Sequence, residues 1–140
     1  MLIDANGEKY EGREHLGDAG HDLRYSGDKG EVVVLIPGDR MLLGTGVYVE
    51  PGALDGGVGF ICPRSGLAHK FGISVVNSPG VIDQGFRGEI KVNLLNTGSE
   101  EVAFWENDRI AQFVPVRLLG DSWEGNGKER GEGGHGSSGR

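Results

Sequence analysis

Short runs of apolar residues recur along the chain, and an extended helical period is almost absent. Alternating apolar and polar residues over 89–96 have the period of a half-buried strand, and consecutive apolar residues over 31–36 are typical of a buried strand. The same reasoning predicts further strands over 40–50, 58–62, 73–76, 102–105 and 110–116. Many short strands separated by turn residues predict an all-β sandwich or barrel.

The segments between these strands predict a helical turn and a tight β-turn. Leu67 and Phe71 are four residues apart, which predicts one helical turn over 65–70. The last two strands are predicted to form a hairpin around Asn107, because Asn tolerates the left-handed backbone of a tight turn. Residues 2 and 3 predict a short edge strand.

The end of the chain has a different character from the rest. Beyond residue 120 the apolar content falls and glycine becomes frequent. Ordering one residue costs roughly 1–2 kcal/mol of backbone entropy, and such a composition does not recover this cost by burial. We therefore predict a β domain over 1–120, followed by a flexible arm over 121–140.

Composition and charge narrow the class of protein and its partners. A chain of 140 residues is long enough for one domain with a sizeable core. Its formal net charge of −7 argues against nonspecific nucleic-acid binding, so a polyanionic ligand would need a local cluster of Arg. Cys62 is the single cysteine, and its apolar neighbours predict a buried thiol. No targeting pattern or membrane-spanning run is evident, so we expect a soluble, cytoplasmic protein without membrane partners.

One carboxylate stands out in the stretch from residue 77 to residue 92. Pro79-Gly80 predicts a turn, and Asp83 follows two β-branched apolar residues. A carboxylate near apolar groups loses hydration, its pKa tends to rise, and it can then act as a general base. The alternative is that Asp83 only shapes a turn.

Five short segments along the chain form a recognisable series. Around Asp83 the chain reads Gly-Val-Ile-Asp-Gln-Gly-Phe-Arg-Gly-Glu-Ile, and the other four segments are 19–23, 63–68, 109–112 and 130–139. In order and content they resemble the five motifs of the trimeric dUTPase family, the dUTP pyrophosphatases. Phe86 stands where that family usually has Tyr. One such segment would be a weak signal, whereas five in family order are specific.

The resemblance implies that the third motif forms the nucleoside site. Asp83 would be the catalytic residue that orients and deprotonates a water molecule. Asn77 would read one edge of uracil, because its amide can both donate and accept hydrogen bonds. The ring of Phe86 would pack against the deoxyribose, where a 2′-hydroxyl would otherwise lie. Further substrate contacts are implied for Val81, Ile82 and Lys91.

The other motifs are implied to bind the phosphates and a metal ion. Asp22 would hold Mg²⁺ through coordinated waters, which suits an ion that dehydrates reluctantly. In the last motif Arg130 would bind phosphate, and His135, at a position where the family usually has Phe, would stack on uracil, with Gly136 and Ser137 as further substrate contacts. The remaining phosphate ligands implied by the resemblance are Arg64, Ser65, Gly66 and Gln112.

The function implied by the resemblance is hydrolysis of dUTP to dUMP and pyrophosphate, which keeps uracil out of DNA and supplies dUMP for thymidylate synthesis. The implied fold is a jelly roll, assembled as a homotrimer with sites between subunits and with the arm closing over bound dUTP. Two alternatives stay open. A dCTP deaminase relative shares the fold, although it carries Ser where Gly66 stands and a catalytic Glu that is not evident here. A regulatory homologue would bind a repressor protein, as some viral members do.

Overall fold

The computed structural model describes residues 1–119, 131, 132 and 134. Within these residues the chain forms twelve β-strands and one α-helix, α1 (Ser65–Phe71). The strands are β1 (Leu2–Asp4), β2 (Lys9–Tyr10), β3 (His21–Arg24), β4 (Val32–Leu35), β5 (Arg40–Gly44), β6 (Val47–Val49), β7 (Gly57–Cys62), β8 (Ile73–Val75), β9 (Gly80–Asp83), β10 (Lys91–Asn96), β11 (Val102–Trp105) and β12 (Arg109–Arg117). The all-β prediction is confirmed.

The strands of the described residues pair into four antiparallel sheets. Their orders are β2-β1-β6, β5-β10-β8, β11-β4 and β3-β12-β7-β9. Most neighbours are far apart in sequence, which is the pairing of a jelly-roll-like fold. Because β12 lies between β3 and β7, its Gln112 lies beside the predicted metal ligand Asp22 on β3 and close to the predicted phosphate ligands that follow β7.

The core collects side chains from nearly every strand. Leu23, Val92 and Phe113 are each fully buried, and burying a large apolar side chain contributes roughly 1.5–3 kcal/mol. In β10 the buried Val92 and Leu94 alternate with Lys91 and Asn93, which face outward. The alternation predicted from the sequence therefore fixes which side chains of β10 can reach a ligand.

The strand predicted as buried over 31–36 is covered on one face alone. Leu35 is 2% exposed, whereas Val32 and Val34 are 40% and 42% exposed. A consecutive apolar run is compatible with burial on both faces but does not require it. The prediction of a buried strand was therefore wrong for the outward half of β4.

The single strand predicted over 40–50 is two strands, β5 and β6. Gly46 has a φ of +67°, a left-handed conformation that glycine adopts without strain. The hydroxyl of Thr45 donates a hydrogen bond to the carbonyl of Ile90 at 2.6 Å and accepts one from the Val47 amide at 3.2 Å. These local bonds turn the chain away from the β5–β10 ladder before β6 begins.

The turn around Asn107 exists, but the hairpin does not. Asn107 has a φ of +75°, as its turn role requires. Strand β11 pairs with β4, and β12 pairs with β3 and β7. The Asn107 amide donates to the Tyr25 carbonyl at 2.7 Å, so the turn is tied to the end of β3 and directs the chain into a different sheet.

Three smaller predictions differ from the structure. Strand β1 lies between β2 and β6 rather than at an edge. Helix α1 has seven residues instead of a single turn, and Leu67 packs against the core while Phe71 is 46% exposed. Cys62 is partly rather than fully buried, and burial raises the pKa of its thiol. In the described part of the chain no helix is long and apolar enough to span a bilayer.

Candidate active site

A pocket opens beside β9, which pairs antiparallel with β7. It has a volume of about 330 Å³. Its lining residues are Ile61, Val75, Asn77, Gly80, Val81, Ile82, Asp83, Phe86, Glu89, Lys91, Asn93 and Gly134. All the residues that the sequence analysis assigned to the catalytic base, uracil and deoxyribose in the third motif therefore line one pocket, which we call the β9 pocket.

Asp83 lies at the end of β9 with its side chain exposed. The alternation of the strand buries Gly80 and turns Val81, which is 57% exposed, to the same side as Asp83. The backbone carbonyl of Asp83 accepts a hydrogen bond from the Phe86 amide at 3.0 Å, so the carboxylate stands at the start of a tight turn. Within one chain the Asp83 carboxylate is exposed, although the apolar residues Ile61, Val75 and Phe86 line the same pocket.

Phe86 is buried without belonging to the core. It is 8% exposed and is absent from the cluster of packed core side chains. A Cβ at Gly88 would come within 2.8 Å of the Phe86 ring, and one at Gly134 would lie 3.4 Å from it. Glycine at these two positions therefore lets the backbone approach the ring closely, and the ring forms a wall of the β9 pocket.

The side chain of Asn77 lies close to the start of β9. A Cβ at Gly80 would be 3.4 Å from Asn77 Nδ2 and 3.2 Å from Ile61 Cβ. Gly80 therefore leaves room for the Asn77 amide at the back of the pocket. This contact gives the glycine of the Pro79-Gly80 turn a second role that the turn signal did not predict.

Two lining residues with polar side chains, Glu89 and Asn93, were not predicted from the sequence. They stand at alternate positions on either side of Lys91, and all three line the β9 pocket. A Cβ at Gly44 would lie 2.8 Å from Glu89 Oε2, so the side chain lies directly over the neighbouring strand. The period of two through Lys91 was the signal that could have identified both.

A second pocket, of about 280 Å³, lies between β3, β12 and the start of α1. In the register of the sheet, Gln112 of β12 faces Asp22 on one side and Cys62 on the other. Two residues after Cys62 the chain reaches Arg64. The lining residues of this phosphate-side pocket are Glu14, Asp18, Ala19, Gly20, Asp22, Arg64, Ser65, Gly66 and Gln112. The predicted phosphate ligands of the second and fourth motifs thus meet the predicted metal ligand.

Two guanidinium groups bracket the carboxylate of Asp22. Arg64 Nε is 3.1 Å from Asp22 Oδ1, and Arg109 Nη1 is 3.6 Å from Asp22 Oδ2. Arg109 Nη1 also donates to Glu14 Oε2 at 3.0 Å. Sequence reasoning did not find Glu14, which lies before the first motif and carries no local signal.

Gln112 is held in a defined orientation. Its Nε2 donates a hydrogen bond to the Pro63 carbonyl at 2.9 Å. A Cβ at Gly20 would come within 2.2 Å of Gln112 Oε1, so only glycine fits there without displacing the amide. The space that a Cβ at Gly66 would enter is open, which leaves the floor of the pocket accessible.

The described part of the arm lies against its own chain. The Arg87 amide donates to the Gly131 carbonyl at 2.7 Å, and Phe86 and Gly131 form a parallel bridge. Gly134 lines the β9 pocket. The predicted contacts of Arg130, His135, Gly136 and Ser137, together with the predicted flexibility of the arm, lie outside the described residues.

The phosphate-side pocket fits a magnesium ion held mainly through water. Its carboxylates are Glu14, Asp18 and Asp22, and within residues 1–119 no three acidic, His or Cys side chains come close enough to chelate an ion. Mg²⁺ usually keeps several waters and binds through one or two carboxylates and substrate phosphates. One bracketed carboxylate in an open polar pocket suits that mode.

The comparisons with known proteins agree with this geometry. A profile of the dUTPase family matches residues 11–139. The deoxyuridine 5′-triphosphate nucleotidohydrolase of Nocardia farcinica is 50% identical over 138 residues, spanning 91% of this chain and 76% of the relative. A variant of the Staphylococcus bacteriophage 80alpha dUTPase with dUpNHpp shares 25% identity and a TM-score of 0.70, covering 100% and 98% of the two chains.

A second solved structure extends the likeness of fold. A mutant dUTPase from phage phi11 of Staphylococcus aureus, described with a coordinated structural Mg(II) ion, has a TM-score of 0.70 at 22% identity, covering 91% of this chain and 96% of that one. At that identity the likeness shows the fold alone, whereas the family match and the Nocardia relative extend over most of the sequence. The chain belongs to the dUTPase family.

Proposed function

We propose that this protein hydrolyses dUTP to dUMP and pyrophosphate, which removes dUTP from the pool for DNA synthesis and supplies dUMP. Family membership and the name of the Nocardia relative support this activity. The observation that carries the proposal is the β9 pocket, because Asn77, Asp83 and Phe86 all line it. Such a substrate requires an amide that pairs with the base, a carboxylate that activates water and a ring that packs against the sugar.

Substrate selection follows from the lining of the β9 pocket. The Asn77 amide can pair with the carbonyl and N–H on one edge of uracil, whereas cytosine presents a donor in place of an acceptor and leaves polar groups unpaired. The backbone of Val81 and Ile82 closes the pocket against a 5-methyl group. The ring of Phe86 covers the deoxyribose and excludes a 2′-hydroxyl by size.

Asp83 acts as the general base. It accepts a proton from a water molecule that attacks the α-phosphorus in line with the bridging oxygen of the leaving pyrophosphate. The new P–O bond belongs to dUMP, and the broken bond releases pyrophosphate. A positioned base contributes roughly 10²–10⁴-fold to the rate of such a step.

The phosphate-side residues stabilise the charge that moves onto the leaving group. Arg64 and Gln112 contact phosphate oxygens, and Ser65 and Gly66 contribute a hydroxyl and a backbone amide. In phosphoryl transfer most of the catalysis comes from such positioning and electrostatic stabilisation. Asp22 would hold Mg²⁺ through water, and the ion would supply further neutralisation of the triphosphate charge.

We further propose that the active unit is a homotrimer with sites between subunits. The β9 pocket and the phosphate-side pocket share no lining residue among those described, so one chain does not present Asp83 and Arg64 to the same pocket. A neighbouring copy that contributes its phosphate-side pocket would complete the site. Arg130, His135, Gly136 and Ser137 would then close over the nucleotide. A cytoplasmic location and the lack of nucleic-acid or membrane partners stay predictions.

One incubation distinguishes this function from its alternatives. Purified protein with Mg²⁺ is given dUTP, dCTP or dTTP, and the products are separated by ion-exchange chromatography. We expect dUMP and pyrophosphate from dUTP alone. Ammonia and a uracil nucleotide from dCTP would indicate a deaminase, and nucleotide binding without turnover of any substrate would indicate a regulatory homologue.

A further inference from the structure

The outward face of the two-stranded β4–β11 sheet is almost entirely apolar. Val32 pairs with Trp105, and Val34 pairs with Ala103. The exposed fractions are 40% for Val32, 42% for Val34, 49% for Ile36 and 53% for Trp105, and Ala103 is exposed as well. We refer to these five residues as the β4–β11 face.

This face is not needed for the core of its own chain. The opposite side of the same two strands supplies Leu35 and Phe104, which are 2% and 3% exposed and belong to the core cluster. When one face of an antiparallel sheet packs on the core, the other is normally polar because it meets water. An outward face formed by five apolar side chains departs from this pattern, which makes the β4–β11 face a candidate docking surface.

The β4–β11 face also lies apart from the proposed catalytic surfaces. None of its residues lines the β9 pocket or the phosphate-side pocket. The inter-subunit contact that completes the active site has to lie next to those two pockets. The β4–β11 face therefore belongs to neither pocket, and an inference about it does not depend on the proposed enzymatic activity.

The charges around the face favour a basic occupant over a second copy of this chain. Glu31 precedes β4, Glu100 and Glu101 precede β11, and Glu106 follows it, all of them exposed. A second copy docked face to face would bring an identical acidic rim against this one. Juxtaposed like charges disfavour association, whereas Lys or Arg at the ends of a partner segment would complement this rim.

The dimensions of the face indicate a short segment. Strands rise about 3.3 Å per residue and lie about 4.8 Å apart, so five residues on two strands present on the order of 150 Å². A stable interface between globular proteins needs about 800 Å² per partner. In the described residues this sheet has only two strands, so an extended segment can also pair with an open outer edge.

We propose that the β4–β11 face binds an extended peptide segment of another protein, with alternating apolar side chains and Lys or Arg at its ends. The probe is a ten-residue peptide of alternating Val and Thr with two Lys at each end, and a peptide with Glu in place of Lys is its control. Each is titrated into the full-length protein and followed by two-dimensional NMR. The Lys peptide is expected to bind saturably and to shift amide resonances of 32–36 and 101–105, and the Glu peptide is not.

Matched variants distinguish specific binding at the β4–β11 face from nonspecific hydrophobic binding of the peptide. Trp105→Gln is expected to weaken binding about tenfold or more, and Val34→Thr severalfold. Val116→Thr, at a strand valine that is 39% exposed elsewhere, should leave it unchanged. Unchanged dUTP turnover in all three variants would show that the fold is intact. The proposal is wrong if the Lys peptide does not saturate, if the Glu peptide binds equally, if Trp105→Gln binds like the parent, or if Trp105→Gln instead reduces the oligomer size.

Discussion

Arg64 Nε donates a hydrogen bond to Asp22 Oδ1 at 3.1 Å, and this bond joins the end of β7 to the middle of β3. Both side chains are partly buried, at 27% and 19% exposure, so their geometry is better defined than that of a surface ion pair. A guanidinium has further N–H groups that can bind phosphate while Nε holds the carboxylate. Arg64 thus links the proposed metal ligand to the proposed phosphate site.

Arg64→Lys tests that double contact. A single ammonium cannot reproduce the planar fork, so it either keeps Asp22 or reaches the phosphates. Losing one charged hydrogen bond of about 1.5–3 kcal/mol lowers kcat/KM for dUTP roughly 10- to 100-fold. Arg117→Lys, at the exposed end of β12, should retain the parent value. Equal kcat/KM in parent and Arg64→Lys would remove Arg64 from phosphate binding.

Glu14 balances the charge around Asp22. With Glu14 in place, two carboxylates face the two guanidinium groups of Arg64 and Arg109, whereas without it one carboxylate faces both. An excess positive charge opposes binding of Mg²⁺. We expect Glu14→Gln to raise the Mg²⁺ concentration for half-maximal turnover by about two- to fivefold, since exposed pairs contribute up to ~1 kcal/mol.

The control for this charge change is Glu8→Gln, which removes a carboxylate outside the pocket. Direct binding of Mn²⁺ in the presence of a non-hydrolysable dUTP analogue, measured by electron paramagnetic resonance, should weaken in Glu14→Gln and not in Glu8→Gln. If both variants need the same Mg²⁺ as the parent, Glu14 has no part in the metal site.

The position of Phe86 predicts how ribonucleotides are rejected. Removing its ring opens space beside the sugar, so Phe86→Ala should lower the ratio of kcat/KM for dUTP to that for UTP by about tenfold or more. Phe71→Ala, which removes an exposed ring from α1, should leave the ratio unchanged. A ratio that stays at the parent value in Phe86→Ala would mean that this buried ring supports structure alone.

Local patterns predicted the strands better than their partners. The alternation in β10 identified Val92 and Leu94 as inward and Lys91 as outward, because side-chain direction depends on the strand alone. The pairing of Trp105 with Val32, instead of with β12, depends on contacts some 70 residues apart that no local signal encodes. For the same reason the outward half of β4 was wrongly predicted to be buried, because a run of apolar residues does not indicate whether another element covers them.

In the candidate site, too, local motifs identified individual residues, whereas contacts between distant parts of the chain could not be predicted. Motif resemblance identified Asp22, Arg64 and Gln112, and the register of β12 explains how they meet. Glu14 was not predicted as a site residue, because its place in the pocket depends on its contact with Arg109, which is 95 residues away. The solvent exposure of Asp83 within one chain was also unforeseen, because the apolar residues that precede it along β9 do not determine how far its side chain is covered.

His21 makes folding stability depend on pH. Its Nδ1 is buried without a hydrogen-bond partner among the described residues, and burial lowers the pKa of His21, helped by Arg13 and Lys9 and opposed by Glu11 at 3.5 Å. Below an unfolded-state pKa of about 6.5 the unfolded chain therefore binds more protons than the folded one, and stability falls as pH falls.

The measurement is the urea midpoint at pH 7.5 and pH 5.5. The parent should lose more stability between these values than His21→Phe, which cannot take up a proton. Glu11 does not contribute in this window, because its bond to Arg13 lowers the pKa of that carboxyl to about 2 and its titration lies below pH 5. Equal losses in parent and variant would assign the pH dependence to other groups.

Asp83 is the residue on which the proposed chemistry depends. Asp83→Asn is nearly isosteric but cannot accept a proton, so turnover of dUTP should fall by about two or more orders of magnitude. Binding of a non-hydrolysable dUTP analogue should persist, because the amide keeps the shape of the pocket. Asp39→Asn makes the same chemical change at an exposed carboxylate that lines neither pocket, and it should keep the parent turnover.

The most direct test of the account is hydrolysis of dUTP in ¹⁸O-labelled water, with the products analysed by mass spectrometry for the parent and for Asp83→Asn. We expect the label to enter dUMP and not pyrophosphate, and Asp83→Asn to form labelled dUMP at under about a hundredth of the parent rate. Label in pyrophosphate, or an Asp83→Asn rate above about a tenth of the parent rate, would contradict it.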